Sequence, residues 1–307
     1  MVQFSLMPIA IPETPPCVMC LSAGDPTGGS GLAADMLTLS SMGCHPLPVH
    51  TAALVRDTRG IDEVWPTEPE LLVMQARTVL EDVPVAAFKL GFCGSVENVA
   101  VIAEILSDYP EVPLVVEAGL DAAMHLGEVG DEIAAALADL ILPQTTLLVA
   151  DRHALCRLAG VDEMAQDAHE GEAQDDVQGE DADDVPGRRS DVDEALARVL
   201  GGGVEFVLLT GGSDHGPQVL NTLFGHEGVI RADAWPRLRG SFLGAGSTLC
   251  AATVAAMAHG MDLPEAVREA QEFTQQTLRH AYRAGMGRAL PDRFFWARGK
   301  GGDEGDA

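Results

Sequence analysis

The sequence predicts an α/β fold, a three-layer α/β/α sandwich with a mostly parallel central sheet. Three features carry that expectation. Short apolar runs alternate with segments of helical periodicity for most of the length, which is the rhythm of βαβ units. The runs are apolar at nearly consecutive positions, as in Val-Glu-Phe-Val-Leu-Leu-Thr at 204–210, and such strands are buried on both faces. Glycine-rich stretches stand at the ends of some of these runs, where open α/β sheets bind ligands.

Taken in order, strands are expected at 17–23, 48–54, 85–90, 113–118, 145–150 and 204–210. Helical periodicity fills the gaps at 32–42, 68–80, 96–106, 132–140 and 192–200. The runs 218–224 and 229–232, split by Gly-His-Glu-Gly, read as a hairpin at one edge. Two helices, 248–259 and 263–283, close the fold. A single domain is therefore expected over 17–296, with flexible termini at 1–16 and 297–307. Inside it, residues 162–187 hold eleven Asp or Glu, no Lys or Arg, and few large apolar side chains. Such a tract cannot offset its ordering entropy by burial, so it reads as a disordered insertion.

The chain has 307 residues, 47% of them hydrophobic, enough for one large α/β domain. No run of about 18 uninterrupted apolar residues occurs, which argues against a membrane span. The opening Met-Val-Gln-Phe-Ser-Leu lacks a basic stretch and is followed by prolines, unlike a secretory signal. A cytoplasmic protein is the expectation. The cysteines at 17 and 20 have no second pair or histidine cluster to complete a zinc site, so they read as small buried hydrophobes. Net charge is −28, with two lysines, Lys89 and Lys300, among the 19 basic residues. Phosphate attraction would have the wrong sign, which excludes nucleic acid and anionic membranes as partners. Taking the eleven acidic residues of the tract from the total still leaves about −17. The acidity is general, as suits a high-salt, halophilic cytoplasm where screening relieves self-repulsion.

Three glycine loops fall at strand ends: Ala-Gly-Asp-Pro-Thr-Gly-Gly-Ser-Gly from Ala23, Thr-Gly-Gly from Thr210, and Gly-Ala-Gly-Ser from Gly244. In the third, glycines let successive N–H groups turn inward, and a helix follows whose positive end adds to them. That is an anion cradle suited to a transferring phosphoryl group.

The order SAGDPTGGSGLAAD, KLGFCGS, LLTGG, GSFLGAGSTLCAA, with LPDRFFWA at the end, resembles the hydroxymethylpyrimidine/phosphomethylpyrimidine kinases of thiamine biosynthesis, members of the ribokinase-like superfamily. The resemblance implies a ribokinase-like sandwich that uses ATP and Mg²⁺. It phosphorylates 4-amino-5-hydroxymethyl-2-methylpyrimidine and then the monophosphate. It also implies a homodimer. Carried over by position, Asp25, Gly28, Arg56 and Phe92 line the pyrimidine pocket, and Gly244, Ala245 and Gly246 form the anion hole closed by Ser247. Glu117 and Asp151 lie near the metal and phosphates, with Thr210 and Gly212 near the nucleotide.

The site departs from the family at five places. Arg56 stands for a glutamine, Phe92 for a methionine, Glu117-Ala118 for Asp-Pro, and Asp151-Arg-His-Ala154 for Asn-x-x-Glu. Ser247 replaces a cysteine that ends the anion hole. Arg56 puts a permanent cation where a neutral group is usual, either to bind an anion or to pair with Asp57 or another acid. These changes keep two further readings open: a non-catalytic relative that binds a pyrimidine or nucleotide for regulation, and a kinase for a pyridoxal-like vitamin. A lone serine hydroxyl is a poor base, yet phosphoryl transfer relies mostly on positioning and electrostatics.

Overall fold

The computed structural model describes residues 14–118, 121–161, 186–211 and 216–297. Among these, one sheet holds the strands β1 (Cys17–Gly24), β2 (His45–Arg56), β3 (Ile61–Pro66), β4 (Ala87–Leu90) and β5 (Leu114–Glu117), followed by β6 (Leu147–Asp151), β7 (Phe206–Thr210), β8 (Gln218–Gly225) and β9 (Gly228–Pro236). Their spatial order is β3-β2-β1-β4-β5-β6-β7-β8-β9. The six from β2 to β7 in that order are parallel. At one edge β3 pairs antiparallel with β2. At the other, β8 and β9 form an antiparallel hairpin in which Gly225 faces Gly228.

The helices are α1 (Gly31–Ser41), α2 (Pro69–Asp82), α3 (Val96–Ser107), α4 (Asp121–His125), α5 (Glu128–Leu140), α6 (Arg152–Leu158), α7 (Pro186–Gly201), α8 (Ala245–Ala258) and α9 (Leu263–Arg279). Successive strand residues point to opposite faces, and each face has its own core. Met19, Leu21, Phe88, Val116, Leu148 and Val207 pack under α2, α3, α5, α6 and α7. Val18, Cys20, Ala87, Val115, Leu147 and Leu208 pack under α1, α8 and α9. Helix α8 is buried at every position from Ser247 to Ala256, as its alanine-rich sequence permits, because small side chains let the sheet, α1 and α9 close on it from all sides. Helix α9 starts where Asp262 accepts a hydrogen bond from the Glu265 N–H at 3.0 Å, with Pro264 in the first turn, a start written locally in the sequence.

The fold corrects several expectations. β3, α4 and α6 were absent from the sequence reading. The helix expected over 263–283 stops at Arg279, because Tyr282 leaves it to pair with Leu290. Within the acidic tract expected at 162–187, residues 162–185 lie outside the described residues, and Pro186 and Gly187 open α7. The termini 1–13 and 298–307 also lie outside them. The six cysteines are free and buried. No described helix is long and apolar enough to cross a membrane.

Candidate active site

The loops after β1 and before α8 meet at the carboxyl end of the sheet. In the first, Asp25 is consumed by its own loop. Its Oδ1 accepts from the Thr27 N–H at 2.8 Å and hydroxyl at 2.7 Å. Its Oδ2 accepts from the Ser30 N–H at 2.9 Å and hydroxyl at 2.6 Å. A buried carboxylate with four donors is satisfied, so Asp25 shapes the loop while Ser30 faces the cavity. Gly28 turns this loop with φ +73°.

Arg56 lies against the same acid. Its side chain is 2% exposed, with Nη1 at 3.7 Å from Asp25 Oδ2 and at 3.4 Å from Ser30 Oγ, to which it donates. Arg56 pairs with an acid, one of the two sequence expectations, and it also lines the cavity. The partner is Asp25, because the Asp57 carboxylate pairs with Arg59 at 2.9 Å. Phe92 packs on Ala23, Ala52 and Leu54 beside Arg56. Its backbone carbonyl accepts from Thr51 Oγ1 at 2.5 Å, and Asn98 donates to the Thr51 and Cys93 carbonyls to hold the loop that follows β4.

In the second loop, Gly244 caps α8 with φ +81°. A Cβ there would fall 1.8 Å from the Gly29 carbonyl oxygen, so the two glycine loops touch backbone to backbone. Ala245 opens the helix. Gly246 is exposed within the first turn and has no positive φ; the first N–H groups of a helix have no partner within it. Arg293 bolts the loops together. Its guanidinium donates to the Gly28 and Gly29 carbonyls at 3.2 and 2.7 Å and to Thr248 Oγ1 at 3.1 Å. Burial pulls its pKa down to about 10.

Behind the cradle stands a buried charge cluster. Lys89 lies within the apolar strand β4 with a fully buried side chain, its Nζ 3.0 Å from Asp35 Oδ1 and 2.5 Å from Glu117 Oε2. Burial works against the ammonium, but Asp35 and Glu117 outweigh it and hold its pKa well above the ordinary value. Burial raises Asp35 to about 6, against the pull of Lys89. The other oxygen of Glu117, Oε1, accepts from the Ser247 hydroxyl at 2.7 Å. Both oxygens of Glu117 therefore have protein partners. Asp151 differs: it is exposed, and its Oδ1 accepts from the Ala154 N–H at 2.8 Å to cap α6.

Two cavities open on the cradle. One of 320 Å³ is lined by Ser30, Arg56, Phe92, Glu117, Asp151 and Ser247. The other, of 340 Å³, is lined by Thr210, Asn221, Trp235, Leu249, Gln271 and Thr274. They share Phe242, Ala245 and Gly246. In the second cavity, Gln271 Oε1 accepts from Asn221 Nδ2 at 2.9 Å and Trp235 Nε1 at 2.8 Å. Gly212 lies outside the described residues.

The sequence reading missed Lys89, Asp35, Arg293 and the Trp235–Gln271 pair as parts of the site. One signal was present. A lysine inside an apolar run needs a buried counter-charge.

A glycine loop and helix start shared by two cavities, on an α/β/α sandwich, suit a small-molecule kinase. The chain belongs to the phosphomethylpyrimidine kinase family, whose sequence model matches residues 25–292, and it is a kinase. It is 32% identical over 296 residues to the hydroxymethylpyrimidine/phosphomethylpyrimidine kinase of Streptomyces coelicolor, covering 94% of this chain and 98% of that one. The Escherichia coli K12 protein of that name is 27% identical, with 91% and 97% covered. In fold the chain is similar to the pyridoxal kinase of Bacillus subtilis solved as an ADP complex, with a TM-score of 0.75 at 19% identity and 93% and 100% covered. It is also similar to a phosphomethylpyrimidine kinase of Clostridium difficile 630, with a TM-score of 0.64 at 21% identity and 86% and 100% covered. The fold is ribokinase-like.

Proposed function

We propose that the chain transfers the γ-phosphoryl group of ATP to the hydroxymethyl oxygen of 4-amino-5-hydroxymethyl-2-methylpyrimidine, and then phosphorylates the monophosphate. The observation that carries this reading is the shared wall: Ala245 and Gly246 face both cavities. A phosphoryl group held on that wall lies between a nucleotide at the Thr210–Gln271 side and an acceptor at the Ser30–Phe92 side. The helix N-terminus and open N–H groups stabilise the charge that spreads over its oxygens in the transition state. Arg56 and Asp25 fix the acceptor side by their ion pair.

Among the described residues no group of three or more His, Cys, Asp or Glu forms a cage for a metal. Asp151, an exposed carboxylate lining the acceptor cavity, suits Mg²⁺, which keeps waters and binds through one or two carboxylates plus substrate phosphates. Asp151 is the residue that would hold it, since Glu117 is engaged on both oxygens. The ion supplies charge neutralisation at the phosphates. We place the protein in the cytoplasm as a homodimer. Its acidity suits high salt.

The test is ATP turnover with the hydroxymethylpyrimidine in Mg²⁺ at low and high salt. The expected result is ADP formed with the monophosphate and then the diphosphate, faster at high salt. Tight pyrimidine binding with no phosphorylated product would overturn the reading in favour of a regulatory binder.

A further inference from the structure

Ser247 lines the acceptor cavity directly after Ala245 and Gly246, the residues both cavities share, yet an isolated hydroxyl does not ionise near neutral pH. Its surroundings change that. Ser247 is 3% exposed, and its hydroxyl donates to Glu117 Oε1 at 2.7 Å. With that proton committed, the remaining lone pairs of Oγ are free to accept a hydrogen bond from another hydroxyl. Glu117 and Ser247 both line the acceptor cavity, so an acceptor O–H can reach Oγ there.

We propose that Ser247 and Glu117 form a proton relay that replaces a single catalytic base, an inference that rests on the kinase reading above. As the acceptor oxygen bonds to the γ-phosphorus, its O–H bond breaks and the proton passes to Ser247 Oγ. The proton already on Oγ passes to Glu117 Oε1. The bond between the γ-phosphorus and the bridging oxygen breaks, and its electron pair leaves on ADP. Glu117 ends neutral and returns its proton to solvent through its 14% exposed side chain. Ser247 is the catalytic residue, and Glu117 acts through it.

Lys89 and Asp35 are the positioning residues behind the relay. The ammonium takes Glu117 Oε2 at 2.5 Å, which leaves Oε1 to Ser247, and Asp35 anchors the ammonium at 3.0 Å from the other side. A compact point charge reaches both carboxylates from inside the sheet, where a planar guanidinium imposes its own fork geometry. The chain has only two lysines, and one stands here.

Steady-state kinetics and thiol alkylation test the relay together. Glu117→Gln should lower kcat by about 10²–10⁴-fold, the range for a positioned base, with both KM values within about threefold. Ser247→Ala should match it, and the double variant should be no slower than either single one, as for residues that act as a unit. Ser247→Cys in the Glu117→Gln background should recover about tenfold or more, because a thiol carries its own thiolate fraction. In the Ser247→Cys chain, the pH midpoint of iodoacetamide alkylation should drop by about one unit or more when Glu117 becomes Gln, since a carboxylate in contact disfavours the thiolate. Full activity in Glu117→Gln, no recovery by the thiol, or recovery by excess Mg²⁺ alone would overturn the relay. Wild-type turnover with an unshifted alkylation midpoint would overturn the relay and leave the kinase reading standing. Absence of wild-type turnover would overturn both.

Discussion

Replacing Gly244 by alanine tests whether the two glycine loops are one structure. Gly244 has φ +81°, and a residue with a Cβ pays about 1–2 kcal/mol there. The added Cβ would also lie 1.8 Å from the Gly29 carbonyl oxygen, so the loops must part by at least 1.2 Å to reach even 3.0 Å. Overpacking of that kind costs about 1–3 kcal/mol more. Together the loss of stability should be about 2–5 kcal/mol. Gly28→Ala separates the two contributions, because Gly28 has φ +73° but a Cβ added to it would meet nothing within 4 Å; it should lose only the strain, about 1–2 kcal/mol. Urea unfolding of both variants gives the difference directly. In Gly244→Ala the cradle is displaced from the acceptor loop by roughly an ångström, which should lower kcat about 10²-fold. If Gly244→Ala is no less stable than Gly28→Ala and keeps its turnover, the loops do not touch and the account of the cradle fails.

Three further outcomes follow from the same geometry. The folded-state pKa of Asp35, about 6, stands above its ordinary 3.8, so its stabilising contribution is present below about pH 4 and is lost as pH rises through 6. The gap of about two units corresponds to about 3 kcal/mol. The stability of Asp35→Asn relative to wild type should therefore rise by up to that amount between pH 4 and 7, and a flat difference in urea unfolding would contradict it. Arg293→Met leaves the Gly28 and Gly29 carbonyls without their donor; it should cost about 2–4 kcal/mol and raise the acceptor KM, with Arg293→Lys failing to restore either in the same assays. Gln271→Ala removes the shared acceptor of Asn221 and Trp235. The KM for ATP should rise about tenfold while the acceptor KM stays put, and an equal rise in both would place the nucleotide elsewhere.

The parallel strands were legible because burial on both faces writes a continuous apolar run, and the helices between them because their periodicity is long enough to count. What escaped was short or half exposed. β3 reads Ile-Asp-Glu-Val-Trp-Pro, an edge strand with charges toward solvent and a proline at its end. Its only local mark is the turn at Asp57, whose Oδ1 accepts from the Arg59 and Gly60 N–H groups. α4 and α6 have five and seven residues, too few for a period. For the site, the glycine loops announced themselves by composition, but partners did not. Glu117 and Ser247 are 130 positions apart, and Arg293 reaches Gly28 across 265. Sequence pattern marks which groups need a partner and leaves the choice of partner to the topology of the sheet.

The shared wall of Phe242, Ala245 and Gly246 has a consequence for inhibitor design. Where two ligand chambers are separated by a loop rather than by a domain, a single molecule can fill both through a short bridge. Binding of its second half is then intramolecular, at an effective concentration in the millimolar range for a short linker of matching span. A pyrimidine joined to adenosine through a polyphosphate chain would present its middle phosphates to the exposed N–H groups of the α8 start. Its affinity should pass through a maximum with phosphate number. The length at that maximum would serve as a ruler for the distance between donor and acceptor across the loop.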